Sequence, residues 1–386
     1  MKNASAILLS LLVVFLSFTT HASSVTKQLK IQHSEFEVPL VFNVVLPSGY
    51  QQETSRSYPV LFDFHPHATT YLRGMHDWMS HNGEWPWLKT IIVTPAQGNP
   101  VGRLFDSSGE TTPLLDFFEQ KLFTELDDTY RTNGFRIMSG FRHNGSIVLS
   151  ALFRKPDLMN AYIAVSPELK NDFVGLQSNA QEMLSKLDKK PRFLLFSYGT
   201  NVKENHQQAD YVRLSKQLQQ YAPSSLDWHE RHLADNYFMS LPILSTVTGI
   251  ETLFDDIHNG LAPDSAISQK GVDAIVAHYQ FLSDEKYGFE VSPKRSIQNL
   301  GNHLMESKSE KGLSVLKQLI ELYPGDSYSY HYVAEAYASL GDFKSAVKFQ
   351  TDAVKHSESQ LTWHRKKHSA ALKQYQSELN RASKGR

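Results

Sequence analysis

Arg136-Ile-Met-Ser-Gly-Phe-Arg-His-Asn-Gly-Ser-Ile-Val-Leu-Ser-Ala-Leu-Phe-Arg-Lys-Pro-Asp157 is the stretch on which the reading of this chain turns. Residues 136–141 have the apolar, β-rich character of a strand buried on both faces. Residues 144–155 carry apolar side chains at helical spacing and stop where Pro156 forbids continuation. Nothing separates the two elements except a turn of two or three residues between Gly140 and Gly145. Asn144 stands where a residue tolerant of positive φ is wanted. A buried strand that runs straight into a helix is the repeating unit of a parallel α/β sheet.

The same pattern repeats on both sides of this stretch. Residues 59–65, 90–96, 161–167 and 192–199 are near-continuous apolar runs, and residues 29–36 and 38–47 precede them as an antiparallel pair. Helix-length segments over residues 112–128, 144–155 and 206–221 lie between them. The order predicts a three-layer α/β sandwich with a mostly parallel sheet. After Gly260-Leu-Ala-Pro263 the strand signals end, and residues 271–284 and everything from Ser296 onward read as helix. There Ala334, Tyr337, Gly341, Ala346, Phe349 and Ala353 recur at the spacings by which paired antiparallel helices interlock. A shift of 34 residues sets Gly312 against Ala346 and Val315 against Phe349. Residues 296–386 therefore resemble two tetratricopeptide repeats with a basic tail. Gln350 stands where a second aromatic is common. Such repeats offer a docking surface for a protein partner.

Composition bounds the rest. The 386 residues are 41% hydrophobic and 20% charged, with a net charge of −1, so no global field argues for nucleic acid. Lys2 followed by the apolar run 6–18 and Thr20-His21-Ala22 fits a secretory leader cleaved near Ala22. The expectation is a periplasmic or secreted product with no further membrane span. The chain has no cysteine, which excludes disulfides and a thiol-linked lipid anchor. The predicted organisation is a leader over 1–22, an α/β domain over 23–258, a helical linker over 259–295 and helical repeats over 296–386.

Two flanks of the opening stretch carry a family resemblance. Tyr130-Arg-Thr-Asn-Gly-Phe-Arg-Ile137 before the turn, and Lys155-Pro-Asp-Leu158 with Ala161-Tyr-Ile-Ala-Val-Ser-Pro167 after it, are similar without a gap to the esterase family that includes esterase D and the enterobactin-type esterases. The resemblance spans residues 58 to about 253 and implies an α/β-hydrolase fold and carboxylic-ester hydrolysis. In that fold the turn after the central strand is built as small-x-nucleophile-x-small-small, because the nucleophile sits in strained geometry. Gly140, Asn144 and Gly145 take the small positions, which puts Arg142 in the nucleophile slot. A guanidinium has no lone pair with which to attack a carbonyl. The family's histidine lies in a His-x-Ser-Val-Pro stretch, matched here by Phe238-Met-Ser-Leu-Pro242, so Phe238 stands at the base position. The acid follows the strand ending Phe196-Ser-Tyr-Gly199, and Glu204 is the nearest carboxylate. With two of three triad positions changed, the expectation is a domain that has lost catalysis and acts by binding. The alternative is an active ester hydrolase.

Arg142 admits two readings: an anchor for a small anion, aided by the helix N-terminus behind it, or a plug paired with an internal carboxylate. His65, His67, His76, His81 and His143 are dense in this half of the chain. His65, His67 and His143 are candidate ligand-binding residues beside Arg142. With no HExxH pattern and no cysteine pairs, neither a metal site nor a cofactor is expected. Ser139 or Ser146 acting with His143 is a weaker rescue, since neighbours along a strand or helix point in different directions.

Overall fold

The computed structural model describes residues 24–81, 86–106, 113–307 and 309–384. The leader expected over residues 1–22 lies outside them. Eight strands form one sheet: β1 (Val25–Ile31), β2 (Leu40–Leu46), β3 (Tyr58–Asp63), β4 (Ile91–Pro95), β5 (Thr132–Phe141), β6 (Ala161–Val165), β7 (Arg192–Tyr198) and β8 (Leu226–His232). They lie in the order β1-β2-β4-β3-β5-β6-β7-β8. β1 and β2 are antiparallel, β2 meets β4 antiparallel, and every pair from β4 to β8 is parallel. The first pair sits earlier than the sequence pattern suggested, with Val25 opposite Leu46 and Ile31 opposite Leu40. Residues beyond Ile31 turn instead, the Phe36 N–H donating to the His33 carbonyl.

Fourteen α-helical segments are described: α1 (Ala68–Met79), α2 (Pro113–Phe117), α3 (Phe123–Thr129), α4 (His143–Arg154), α5 (Ala180–Ser185), α6 (Gln208–Tyr221), α7 (Leu241–Leu253), α8 (Asp255–His258), α9 (Val272–Phe281), α10 (Lys294–Glu306), α11 (Glu310–Leu322), α12 (Ser327–Ser339), α13 (Phe343–His356) and α14 (Thr362–Lys384). The period of two along each strand divides the core. Met138, Tyr162, Ala164, Leu194 and Phe196 face α2 to α6. Ile137, Ala161, Ile163, Phe193 and Leu195 face the other way, toward α1, α7, α9 and the C-terminal helices. Gly249 of α7 lets that helix lie on β6, since a Cβ there would come within 2.9 Å of Ile163.

The second core layer runs without a break from the sheet into the C-terminal half. Val272, Ile275, Tyr279 and Tyr287 lie in the same cluster as Ile297, Leu300, Leu316, Leu319, Val333 and Ala336. α10 with α11 and α12 with α13 form two antiparallel hairpins. Gly301 and Gly312 permit the first, because a Cβ on either would come within 2.8 Å of the facing helix. In the second, Tyr337 and Phe349 stack at 5.4 Å while Ala334, Ala346 and Ala353 are fully buried. Gly341 makes the turn at φ +81°. Gln350 is buried and joins the hairpin to α14, its Oε1 accepting from His331 Nδ1 at 2.8 Å and its amide nitrogen donating to the His368 carbonyl. Among the described residues no helix is long and apolar enough to cross a membrane.

Candidate functional site

Because β3, β5, β7 and β8 are parallel, the segments leaving their C-terminal ends share one edge of the sheet, where sites in this architecture form. Arg142 is the apex of the turn leaving β5, with φ 57° and ψ −122°. That conformation suits glycine, and a non-glycine residue holds it only when its surroundings over-determine it. Here they do. The Arg142 N–H donates to the Val165 carbonyl at 2.9 Å, and its own carbonyl accepts from Ser146 and Glu168. A Cβ on Gly140 would come 2.5 Å from the Asn144 carbonyl oxygen, and one on Gly145 would come 2.9 Å from that of Val165. These two glycines are thus steric requirements of the turn, whereas the positive φ expected at Asn144 falls at Arg142, and Asn144 lies in the first turn of α4.

The Arg142 side chain is exposed, and among the described residues no carboxylate lies within ion-pair distance of it. The internal salt bridge expected of a plug is therefore not made by these residues. The guanidinium carbon instead lies 5.7 Å from the centre of the Phe238 ring, and Phe141 packs on the same ring at 4.7 Å. Phe238 reaches this place through a short 3-10 turn, Phe238–Ser240, that leads into α7. His143 is flanked by Phe173 at 4.5 Å and Phe105 at 5.5 Å. Partial burial pushes its pKa down; Glu168 opposes that shift and Arg142 adds to it. Phe173 belongs to a segment in which Asn171, Asp172 and Val174 all have positive φ, a strained run that nothing in the residue pattern announced.

Glu204 is fully buried. One carboxylate oxygen accepts from the Ser166 hydroxyl at 2.6 Å and from the Gly199 N–H at 2.9 Å, while the other accepts from Asn201. These bonds give the residue a structural task. It ties the end of β7 to the residue after β6, where Ser166 is itself held at φ 43°.

The histidines separate. His65 and His67 are exposed beyond β3, their rings 5.5 Å apart, with the His67 N–H donating to His65 Nδ1. Burial, then the neighbouring His67, lowers the His65 pKa. His76 is buried on α1, a helix the residue pattern did not predict. Its Nε2 accepts from the Thr90 N–H at 2.9 Å and its ring meets Trp87 edge-on. It belongs to the core. His81 lines a separate recess with Lys89 and His258. Ser139 and Ser146 are buried as well. Ser139 hydrogen bonds to Asp63, and the Ser146 hydroxyl donates to the Glu168 carbonyl at 2.7 Å, so neither faces the open side of the turn. Among the described residues no group of three His, Asp or Glu side chains could hold a metal ion.

Asp63 is a feature that sequence reasoning missed. It ends β3, opposite Ser139 on β5. Burial pushes its carboxyl up to about 6, against hydrogen bonds from the His65 N–H and from Ser139.

No family model matches the sequence, and no curated protein does. Solved structures do. An IroE-like serine hydrolase from Shewanella oneidensis superposes with a TM-score of 0.58 at 18% identity, covering 77% of this chain and 99% of that one. The fold is that of an α/β-hydrolase. An uncharacterised protein from Capnocytophaga ochracea superposes with a TM-score of 0.61 at 13% identity, covering 91% of this chain and 99% of its own. That share is too large for the sheet and its helices alone, so the likeness extends into the C-terminal helices.

Proposed function

We propose that this chain is an exported, esterase-like hydrolase domain that no longer hydrolyses and works by binding, with a tail of two tetratricopeptide repeats. The observation that carries the reading is Arg142 at the apex of the elbow with Phe238 against it. The nucleophile position then holds a permanent cation and the base position a phenyl ring, and neither can exchange a proton with a substrate near neutral pH. Glu204, at the acid position, is committed to Ser166, Gly199 and Asn201 and has no histidine to orient.

The ligand that suits the site is a small anion. Arg142 stands at the start of a 12-residue helix, whose unpaired N–H groups and dipole favour negative charge. Its fork matches a carboxylate or phosphate, and Phe141 and Phe238 supply an apolar wall. His143 beside it, and His65 and His67 on the neighbouring loop, add hydrogen-bonding groups. The proposed division is a leader over 1–22, the hydrolase-like domain over 23–258, a connector over 259–295 and the repeats over 296–386, delivered to the periplasm or beyond.

The test is hydrolysis of a short-chain nitrophenyl ester by the mature protein, its Arg142→Ala variant and the double variant Arg142→Ser, Phe238→His. The expected result is background rate for the first two. Turnover by the native chain that disappears in Arg142→Ala would establish an active hydrolase and end this reading.

A further inference from the structure

A groove of about 610 Å³, sharing no residue with the elbow turn, opens between α10, α12 and the first turn of α14. That size falls within the range of ligand sites. Tyr328, Tyr332 and Trp363 supply its apolar surface, with Ile257 as the sole aliphatic side chain, and Ser292, Gln298, Asn299, Lys294, Arg295 and His364 supply its polar surface. Trp363 is 58% exposed. One face of its indole stacks on His364 at 3.4 Å, which leaves the other open. The Tyr328 hydroxyl is tied to His364 at 2.7 Å, so the aromatic surface is braced rather than loose.

Charge in the groove is spare at one point. Lys294 is neutralised by Asp326 at 2.7 Å, and Lys367 lies over the Tyr328 ring. Arg295 is exposed and has no ion-pair partner among the described residues. The groove therefore combines an open, rigid aromatic face, amide and hydroxyl groups around it, and one uncompensated guanidinium. An aromatic face in water attracts a flat surface of C–H groups. Amides and hydroxyls suit a ligand rich in hydroxyls, and a lone guanidinium suits a single carboxylate. A peptide anchored by aliphatic side chains would need enclosed apolar pockets, and this groove is shallow and evenly polar.

We infer that this groove binds a carboxylated glycan, with a sugar ring on the open face of Trp363, its carboxylate on Arg295 and its hydroxyls on Gln298 and Asn299. The inference is independent of the binding role assigned to Arg142.

Isothermal titration of the mature full chain with tetragalacturonate, with maltotetraose as neutral control and tetraglutamate as peptide control, tests it. The expected order is tetragalacturonate tightest, maltotetraose weaker, tetraglutamate weakest. Arg295→Gln removes one charge-assisted contact, so it weakens tetragalacturonate on the order of tenfold and leaves maltotetraose unchanged. Trp363→Ala weakens both sugars, and Trp363→Phe restores part of the loss. Circular dichroism establishes that the variants are folded, which the exposure of both side chains favours. Absence of binding by either sugar at millimolar concentration would overturn the assignment. So would tighter binding of tetraglutamate, which would make the occupant an acidic protein segment, or a loss in Arg142→Ala that Arg295→Gln does not reproduce.

Discussion

Replacing Asp63 by asparagine should stabilise the protein, and only above a definable pH. Asp63 ionises at about 6 in the folded chain against an ordinary value of 3.8. A carboxyl whose pKa is raised by folding favours the native state while it is protonated. That contribution is intact below pH 4 and drains away as pH climbs through 6. A difference of about two units corresponds to about 3 kcal/mol above pH 7, and about half of that is already lost near pH 5. The variant avoids the loss because its amide never ionises. Its oxygen can still accept from the His65 N–H, which approaches Asp63 at 2.8 Å, and its nitrogen can donate to Ser139. Urea unfolding at pH 4, 5, 6 and 8 measures this directly, since the midpoint moves with stability while the slope stays fixed. The native and variant curves should nearly coincide at pH 4 and separate toward pH 8, with the variant more stable. A gap that is the same at every pH, or a variant less stable at pH 8, would refute the reasoning.

Arg142→Gly should raise stability by about 1–2 kcal/mol, because glycine holds the elbow conformation without strain; thermal unfolding reads the gain, and binding of small carboxylates should fall at the same time. Glu204→Ala should cost about 3 kcal/mol or more by leaving the Gly199 N–H and the Ser166 hydroxyl buried without an acceptor, a loss that Glu204→Gln halves in the same unfolding assay. Burial, then His331 and Lys367, lowers His368 to about 4, so its contribution is present above its ordinary pKa and lost as pH falls from about 6.5 toward 4. Hydrogen exchange in α14, corrected for intrinsic rate, should accelerate over that window in the native chain and much less in His368→Gln. Gly312→Ala should destabilise by about 1–3 kcal/mol, since its Cβ would press on Met305 across the α10–α11 hairpin.

The elbow was legible because its constraints are steric and local. Gly140 and Gly145 announce a turn that nothing larger could make, and strands buried on both faces declare themselves by unbroken apolar runs. β8 escaped notice for the opposite reason. Its sequence Leu226-Asp-Trp-His-Glu-Arg-His232 belongs to the edge of the sheet, where most side chains remain partly or fully exposed and no apolar run is required. α1 was not expected from the residue pattern, and its His76 belongs to the core, where it bonds to the Thr90 N–H. The site was legible in its apex and not in its walls. Phe105 and Phe173 come to His143 from distant segments, and of the positive φ values around Phe173 only that of Gly175 falls on a glycine. Gln350, a departure from the aromatic usual at that position, becomes intelligible once His331 and His368 are seen to need a partner that both donates and accepts.

The unbroken apolar layer beneath the sheet has a consequence for how the chain tolerates cutting. Ile163 and Leu195 of the sheet and Leu319 and Val333 of the tail are parts of one interior. A chain ended near residue 258 would leave an oily underside facing water, and isolated repeats would carry the complementary half. Each piece would aggregate rather than act. The two halves therefore cover each other's apolar surface, and a boundary drawn by function falls where the molecule has no seam.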